Sequence, residues 1–133
     1  MRLKLVLDTN IYGDYAEGLP ETVNFLATHG EHLYLPSVVI GELNFGFMKG
    51  SQQQFNERKL KQFIKRLRVE IIDVDADVAR KYAIVFLSLQ KKGTRIPIND
   101  VWIAASCMEI GGTLLTRDSH FEVVEQIETV ILS

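Results

Sequence analysis

Residues 2–10 read Arg2-Leu3-Lys4-Leu5-Val6-Leu7-Asp8-Thr9-Asn10. Apolar and polar residues alternate at first, and then Leu5, Val6 and Leu7 follow without a break. Alternation marks a strand with one buried face, and an apolar run marks one covered on both, so this is a strand entering a core. Asp8-Thr9-Asn10 ends it with residues whose short polar side chains favour turns and caps. The strand thus delivers a carboxylate where it leaves the core.

Further on, strands and helices alternate to the end of the chain. Pro20 and Gly30 bracket a short helix over 21–29, Pro being suited to a helix start and Gly to its stop. His32-Leu33-Tyr34-Leu35, closed by Pro36, reads as a second strand. Ser37 is an N-cap candidate for a helix through Met48, ended by Gly50. Over 51–68, Phe55, Leu60, Phe63, Ile64 and Leu67 recur at helical spacing. Residues 69–74 are β-branched enough for a strand. Asp75 or Asp77 caps a long helix that runs to Lys91-Lys92, whose charges complement the helix dipole, with Gly93 as its stop. Asn99 is the cap candidate for a helix over 100–110, closed by Gly111-Gly112. A strand over 113–116, a short helical segment after Asp118 and a strand over 129–132 complete the chain. The alternation predicts an α/β/α sandwich with a mainly parallel central sheet, folded as one domain over residues 1–133. In such sheets functional groups gather beyond the carboxyl ends of the strands. Asp8 and Asp118 both follow strands, and Glu42 and Asp100 lie on helices able to face the same edge.

Composition narrows the class. The 133 residues are 47% apolar, enough for a sizeable core. Lys4 and Asp8 interrupt the first apolar stretch, no small-residue cleavage site follows, and no apolar run reaches the ~18 residues of a membrane span. The single cysteine, Cys107, rules out an internal disulfide and fits a reducing compartment, so the expectation is a cytoplasmic protein with no membrane partner. A formal net charge of −2 argues against a generally basic nucleic-acid binder. One cluster departs from that balance: residues 58–68 hold six of the 15 basic residues.

The acids carry the chemistry. Hydrolysis of a phosphodiester needs charge neutralisation on its oxygens and an activated water, and Mg²⁺ or Mn²⁺ supplies both. These hard cations take oxygen ligands, so three or four converging carboxylates suffice, without histidine or cysteine. That suits a chain whose His29, His32 and His120 show no ligand spacing. Each acid also has a bland alternative: Asp8 as a turn cap, Glu42 as an ordinary helix residue, Asp100 as a favourable charge at a helix N-terminus, Asp118 as a cap. Their joint occurrence, in this order on an α/β frame, is the specific signal.

Four stretches carry a resemblance: Leu7-Asp8-Thr9-Asn10, Ser37-Val38-Val39-Ile40-Gly41-Glu42-Leu43, Asn99-Asp100-Val101-Trp102-Ile103-Ala104-Ala105, and Leu115-Thr116-Arg117-Asp118-Ser119-His120-Phe121. With these, essentially the whole chain resembles a PIN-domain ribonuclease, and in size the VapC-type toxins of type II toxin–antitoxin pairs. The resemblance implies an endoribonuclease that needs Mg²⁺ or Mn²⁺. Asp8 and Asp100 would be the principal metal ligands. Glu42 and Asp118 would complete the acidic pocket or orient water. Thr116 would steady a carboxylate or water, with Asn10 in support. It further implies a homodimer and a VapB-type antitoxin partner. For RNA contact the candidates are Lys61 and Lys65 in the basic stretch, and Arg117; a solvated helix face and an acid-paired arginine are the alternatives.

Two other enzyme classes fit less well. A phosphatase of the haloacid-dehalogenase type needs a second acid two residues after its strand-terminal aspartate, where this chain has Asn10. A receiver domain needs an acidic pair near the first strand and a later lysine after a strand. A noncatalytic PIN-like module that binds RNA or protein is the remaining alternative; all four acids being present weighs against it.

Overall fold

The computed structural model describes residues 2–133. Five strands form one sheet: β1 (Leu3–Leu7), β2 (Gly30–Pro36), β3 (Glu70–Ile72), β4 (Thr113–Thr116) and β5 (Glu128–Ile131). The helices are α1 (Thr9–Ala16), α2 (Pro20–His29), α3 (Ser37–Lys49), α4 (Gln53–Arg66), α5 (Ala76–Lys91) and α6 (Ile98–Ile110), with a 3-10 helix at Ser119–Val123. Every strand pairing is parallel, in the order β3-β2-β1-β4-β5.

This order decides where the site lies. From β1 the chain builds outward through β2 to β3, then returns to the other side of β1 for β4 and β5. The reversal falls between β1 and β4. Connections leave these two strands in opposite directions, which opens a crevice at their carboxyl ends. Leu7 pairs with Leu115, and the Asp8 N–H donates to the Leu115 carbonyl at 3.1 Å. The residues after β1 and after β4 are therefore held side by side at the crevice.

The central strands are anchored by burial. Leu5, Val6, Leu7, Leu114 and Leu115 are fully excluded from solvent. Each such side chain contributes about 1.5–3 kcal/mol relative to exposure. α6 is buried on most of its circumference, through Val101 and Ile103–Cys107, as expected of a helix that is apolar all round. It ends at Gly111, whose φ of +61° is the left-handed cap that glycine adopts without steric penalty. A second cluster, with Val85, Leu89, Val101, Ala104 and Val124, fixes α5 against α6.

Three local expectations are corrected. The Asp8-Thr9-Asn10 turn is the start of α1, with Asp8 as its N-cap. Only Ile11 and Tyr12 of this eight-residue helix are buried, so its apolar periodicity is too brief to read in sequence. Ser37 is not an N-cap: Pro36 takes that position and no side chain caps the helix. Nor is Asn99, because α6 begins at Ile98 after Pro97, whose fixed φ suits a helix entry. For the long helix, Asp75 is the cap, accepting from the Val78 N–H at 2.9 Å.

Candidate active site

Asp8 is the most constrained of the acids. It follows the fully buried Leu5-Val6-Leu7 run and is itself only 4% exposed. Its Oδ1 accepts from the Thr9 N–H at 2.8 Å, and its Oδ2 accepts from the Thr116 hydroxyl at 2.6 Å. Thr116, at the end of β4, is fully buried, and its Oγ1 also accepts the Asp118 N–H at 3.0 Å. One hydroxyl, 108 positions from Asp8 in sequence, thus links Asp8 to Asp118. Asn10, in the first turn of α1, donates a longer bond of 3.4 Å to Asp118 Oδ2.

The other two acids arrive on helices. Glu42 accepts from the Thr9 hydroxyl at 2.6 Å and from the Asn99 amide at 3.4 Å. Asp100 lies in the first turn of α6, and His120 Nε2 stands 2.6 Å from its Oδ2, an ion pair when the ring is protonated. Four small donor residues, Thr9, Asn10, Asn99 and Thr116, and one imidazole therefore hold the four carboxylates in place.

The acids feel one another. Burial pushes the Asp8 carboxyl above its ordinary value, opposed by the Thr116 and Thr9 hydrogen bonds and reinforced by the charges of Asp100 and Asp118. Burial likewise raises Asp100; His120 pulls it down, and Glu42 and Asp118 push it up. All four acids named from sequence enter this one coupled set. Among the described residues, no three His, Cys, Asp or Glu side chains stand ready to hold an ion directly. The carboxylate oxygens accept from Thr9, Thr116 and Asn99, and Asp100 Oδ2 faces His120. Among those residues, Asn10 Oδ1 is the only buried side-chain nitrogen or oxygen with no partner.

A model of the PIN domain matches residues 5–127. The chain belongs to the PIN-domain family. It is 31% identical over 117 residues to Ribonuclease VapC2 of Rickettsia felis, covering 85% of each chain. It is 30% identical over 95 residues to Ribonuclease VapC4 of Mycobacterium tuberculosis, covering 71% of this chain and 73% of that one. Among solved structures, VapBC2 from Rickettsia felis bound to a DNA fragment from their promoter superposes with a TM-score of 0.86 at 26% identity, spanning 98% of this chain and 100% of that one.

Within this PIN domain, the candidates named from sequence divide in two. Asp8, Glu42, Asp100, Asp118, Thr116 and Asn10 meet at the crevice. Lys61 and Lys65 stand one turn apart on the exposed face of α4. The Arg117 side chain is engaged by Asp14, Thr22 and the carbonyls of Leu132 and Ser133. Thr9, Asn99 and His120 were missed. Thr9 and Asn99 sit beside acids in the quoted motifs, which was a usable signal. His120 was discounted because its pairing with Asp100 has no counterpart in histidine spacing. Tyr12 and Tyr15 pack on Phe63, each with ring centroids 5.0 Å apart, and Trp102 stacks on Tyr82 at 3.9 Å. Cys107 is buried and its thiol is pushed up to about 12, which disqualifies it as a thiolate ligand. A cleft of about 660 Å³ lies between the end of α5 and the start of α6; Gln90, Thr94 and Arg95 are its polar lining, and none of the four acids borders it.

Proposed function

We propose that this chain is a VapC-type endoribonuclease, active as one nuclease domain over residues 1–133, that hydrolyses RNA phosphodiester bonds with Mg²⁺ or Mn²⁺. The observation that carries the proposal is the convergence of Asp8, Glu42, Asp100 and Asp118 at the β1/β4 crevice, with two of them raised by burial and by their neighbours' charge. A fold does not place four carboxylates together for stability, since like charges in a half-buried site oppose folding. A divalent cation relieves that opposition.

The donors fit such an ion. All are hard oxygens, and the unpartnered Asn10 Oδ1 adds an acceptor suited to a coordinated or substrate-borne proton donor. Mg²⁺ keeps several waters and uses one or two carboxylates directly, so it needs no complete cage of protein ligands. Asp8 and Asp100 would be its principal ligands. When bound, the ion neutralises phosphate charge and lowers the pKa of water. The protein's own part follows from its geometry. Thr116 keeps Asp8 oriented through the 2.6 Å bond. Glu42 and Asp118 orient water or a second ion, and Asn10 steadies Asp118. His120, 2.6 Å from Asp100 Oδ2, orients that carboxylate as Thr116 orients Asp8.

Relatives named as ribonucleases, and solved toxin–antitoxin complexes of the same fold, support RNA as substrate and a VapB-type antitoxin as partner. The sequence resemblance implies a homodimer, and a cytoplasmic location belongs to the same proposal; among the described residues no helix is long and apolar enough to cross a membrane. Lys61 and Lys65 would guide RNA toward an acidic crevice that by itself repels phosphate; their exposure on α4 supports that role. The decisive experiment is cleavage of RNA by the wild type, Asp8→Asn and Asp100→Asn, each with Mn²⁺ and with EDTA. Cleavage unaffected by EDTA or by both substitutions would sink the proposal. For the toxin role, growth arrest on induced expression, relieved by the antitoxin gene product, is the expected result.

A further inference from the structure

One guanidinium joins four pieces of chain. Arg117 lies between Thr116 and Asp118, but its side chain turns to other partners. Its Nε meets the Asp14 carboxylate on α1. Nη1 donates to the Ser133 carbonyl at 2.9 Å and more weakly to that of Leu132 at 3.5 Å; Nη2 reaches Thr22 Oγ1 on α2 at 3.4 Å. The pair is half-buried, with side-chain exposures of 27% for Arg117 and 19% for Asp14. Only a planar fork with five donors can serve all these acceptors at once.

Asp14 has a telling position. It stands four residues after Asn10, one helical turn along α1, so the two side chains lie on the same face. Asn10 bonds Asp118 and Asp14 bonds Arg117. Two successive residues after β4 are thus fastened to two successive turns of α1. Thr116 holds the Asp118 amide, but the bond from Asn10 to the Asp118 carboxylate, at 3.4 Å, is too long to fix that group alone. The charged, half-buried Arg117–Asp14 contact is firmer than the Asn10 bond.

We infer that Arg117 is a positioning residue and not an RNA contact: its clamp on Asp14 sets the place of Asp118 against Asp8 and Asn10. The catalytic consequence rests on the metal-nuclease proposal above; the clamp itself does not.

The test compares Arg117→Ala, Arg117→Lys, Asp14→Ala and the Arg117→Ala/Asp14→Ala double variant, with three readouts. The first is hydrogen exchange over residues 116–121 without RNA or metal. Protection should fall in every variant, including that of the Asp118 amide, while β1 stays protected. The second is calorimetry of Mn²⁺ binding, expected to weaken in both alanine variants. The third is RNA cleavage, where kcat should fall about ten- to a hundredfold through misplacement of a carboxylate, with KM unchanged. The double variant should be no worse than the poorer single one, and Arg117→Lys should recover only part. If Arg117→Ala fails to fold, Asp14→Asn reads the same contact more gently. Two patterns overturn the inference. In one, Arg117→Ala raises KM and lowers the salt slope of RNA binding by about one while Asp14→Ala does neither, which marks a phosphate contact. In the other, melting temperatures fall but exchange at Asp118 and Mn²⁺ affinity do not change. A wild type that binds Mn²⁺ without cutting RNA defeats the nuclease proposal alone, since exchange and calorimetry still decide the clamp.

Discussion

The crevice and α4 both concentrate charge, and they do it in opposite ways. At the crevice four acids are forced together by buried backbone, and two carboxyls are raised as a result. On α4 the basic residues spread along an exposed face: Lys61 and Lys65 are in solvent, and Lys59 bonds the Ala16 carbonyl at 2.9 Å. Like charges in water are screened and cost little; like charges against a core are not. A chain keeps the costly arrangement only where a ligand offsets it. Under the proposed function the crevice bears the chemistry, and α4 at most assists.

The largest expected effects are those that break the crevice. Asp8→Asn or Asp100→Asn should each reduce single-turnover RNA cleavage by about 10²–10³-fold or more, the scale on which loss of one charge-stabilising group acts. Metal should separate the regions next. Mn²⁺ at about 100 times its Kd should stabilise the wild type by about 2.7 kcal/mol in thermal unfolding. An Asp8→Asn/Asp100→Asn variant should show no such shift.

Acid sharpens the contrast. Both raised carboxyls lie above 3.8 when folded, so cleavage should fail on an acid limb that begins above the range of ordinary aspartates. Raising Mg²⁺ should move that limb to lower pH, because the cation competes with protons. Without metal the sign for stability is the reverse of the usual carboxylate case. The folded state takes up these protons first, so stability contributed by these two groups rises as pH falls through their folded values toward 3.8 and is lost above them. Unfolding of the metal-free protein, compared with Asp8→Asn/Asp100→Asn across that window, measures it.

Thr116→Val should have a smaller effect. It keeps the shape but leaves Asp8 Oδ2 and the Asp118 N–H without their bonds to the hydroxyl. A cost of about 1–3 kcal/mol in urea unfolding follows from stranding buried polar groups. Smallest of all, Lys61→Glu/Lys65→Glu should leave kcat and stability near wild type. It should weaken RNA binding at low salt and reduce the salt slope by about one for each phosphate no longer neutralised. A large drop in kcat there would make α4 part of the chemistry and undo the comparison.

Most elements were legible, because periodicity and breakers act within a few residues. The run through Leu5, Val6 and Leu7 marks a doubly covered strand, and Gly93 and Gly111 stop helices through positive φ. α1 was not legible: its two buried residues are too few to show a period, and tertiary contact supports it. Among the candidate site residues, the acids could be named because hard-cation chemistry demands carboxylates. Their partners could not. Thr9 with Glu42, His120 with Asp100 and Arg117 with Asp14 are pairings across 33, 20 and 103 positions.

What the sequence determined by itself was the set of elements apart from α1, and four candidate acids, Asp8 and Asp118 after strands and Glu42 and Asp100 on helices. Only the tertiary structure decided that these four meet. That outcome rests on the order β3-β2-β1-β4-β5, which puts the first strand beside the fourth. Local patterns set how each strand and helix forms, but strand order is chosen by packing the whole chain around one sheet. The same packing separates the two kinds of charge: it pins the acids against a rigid edge, where proximity has an energetic cost, and leaves the lysines of α4 in water, where it has almost none.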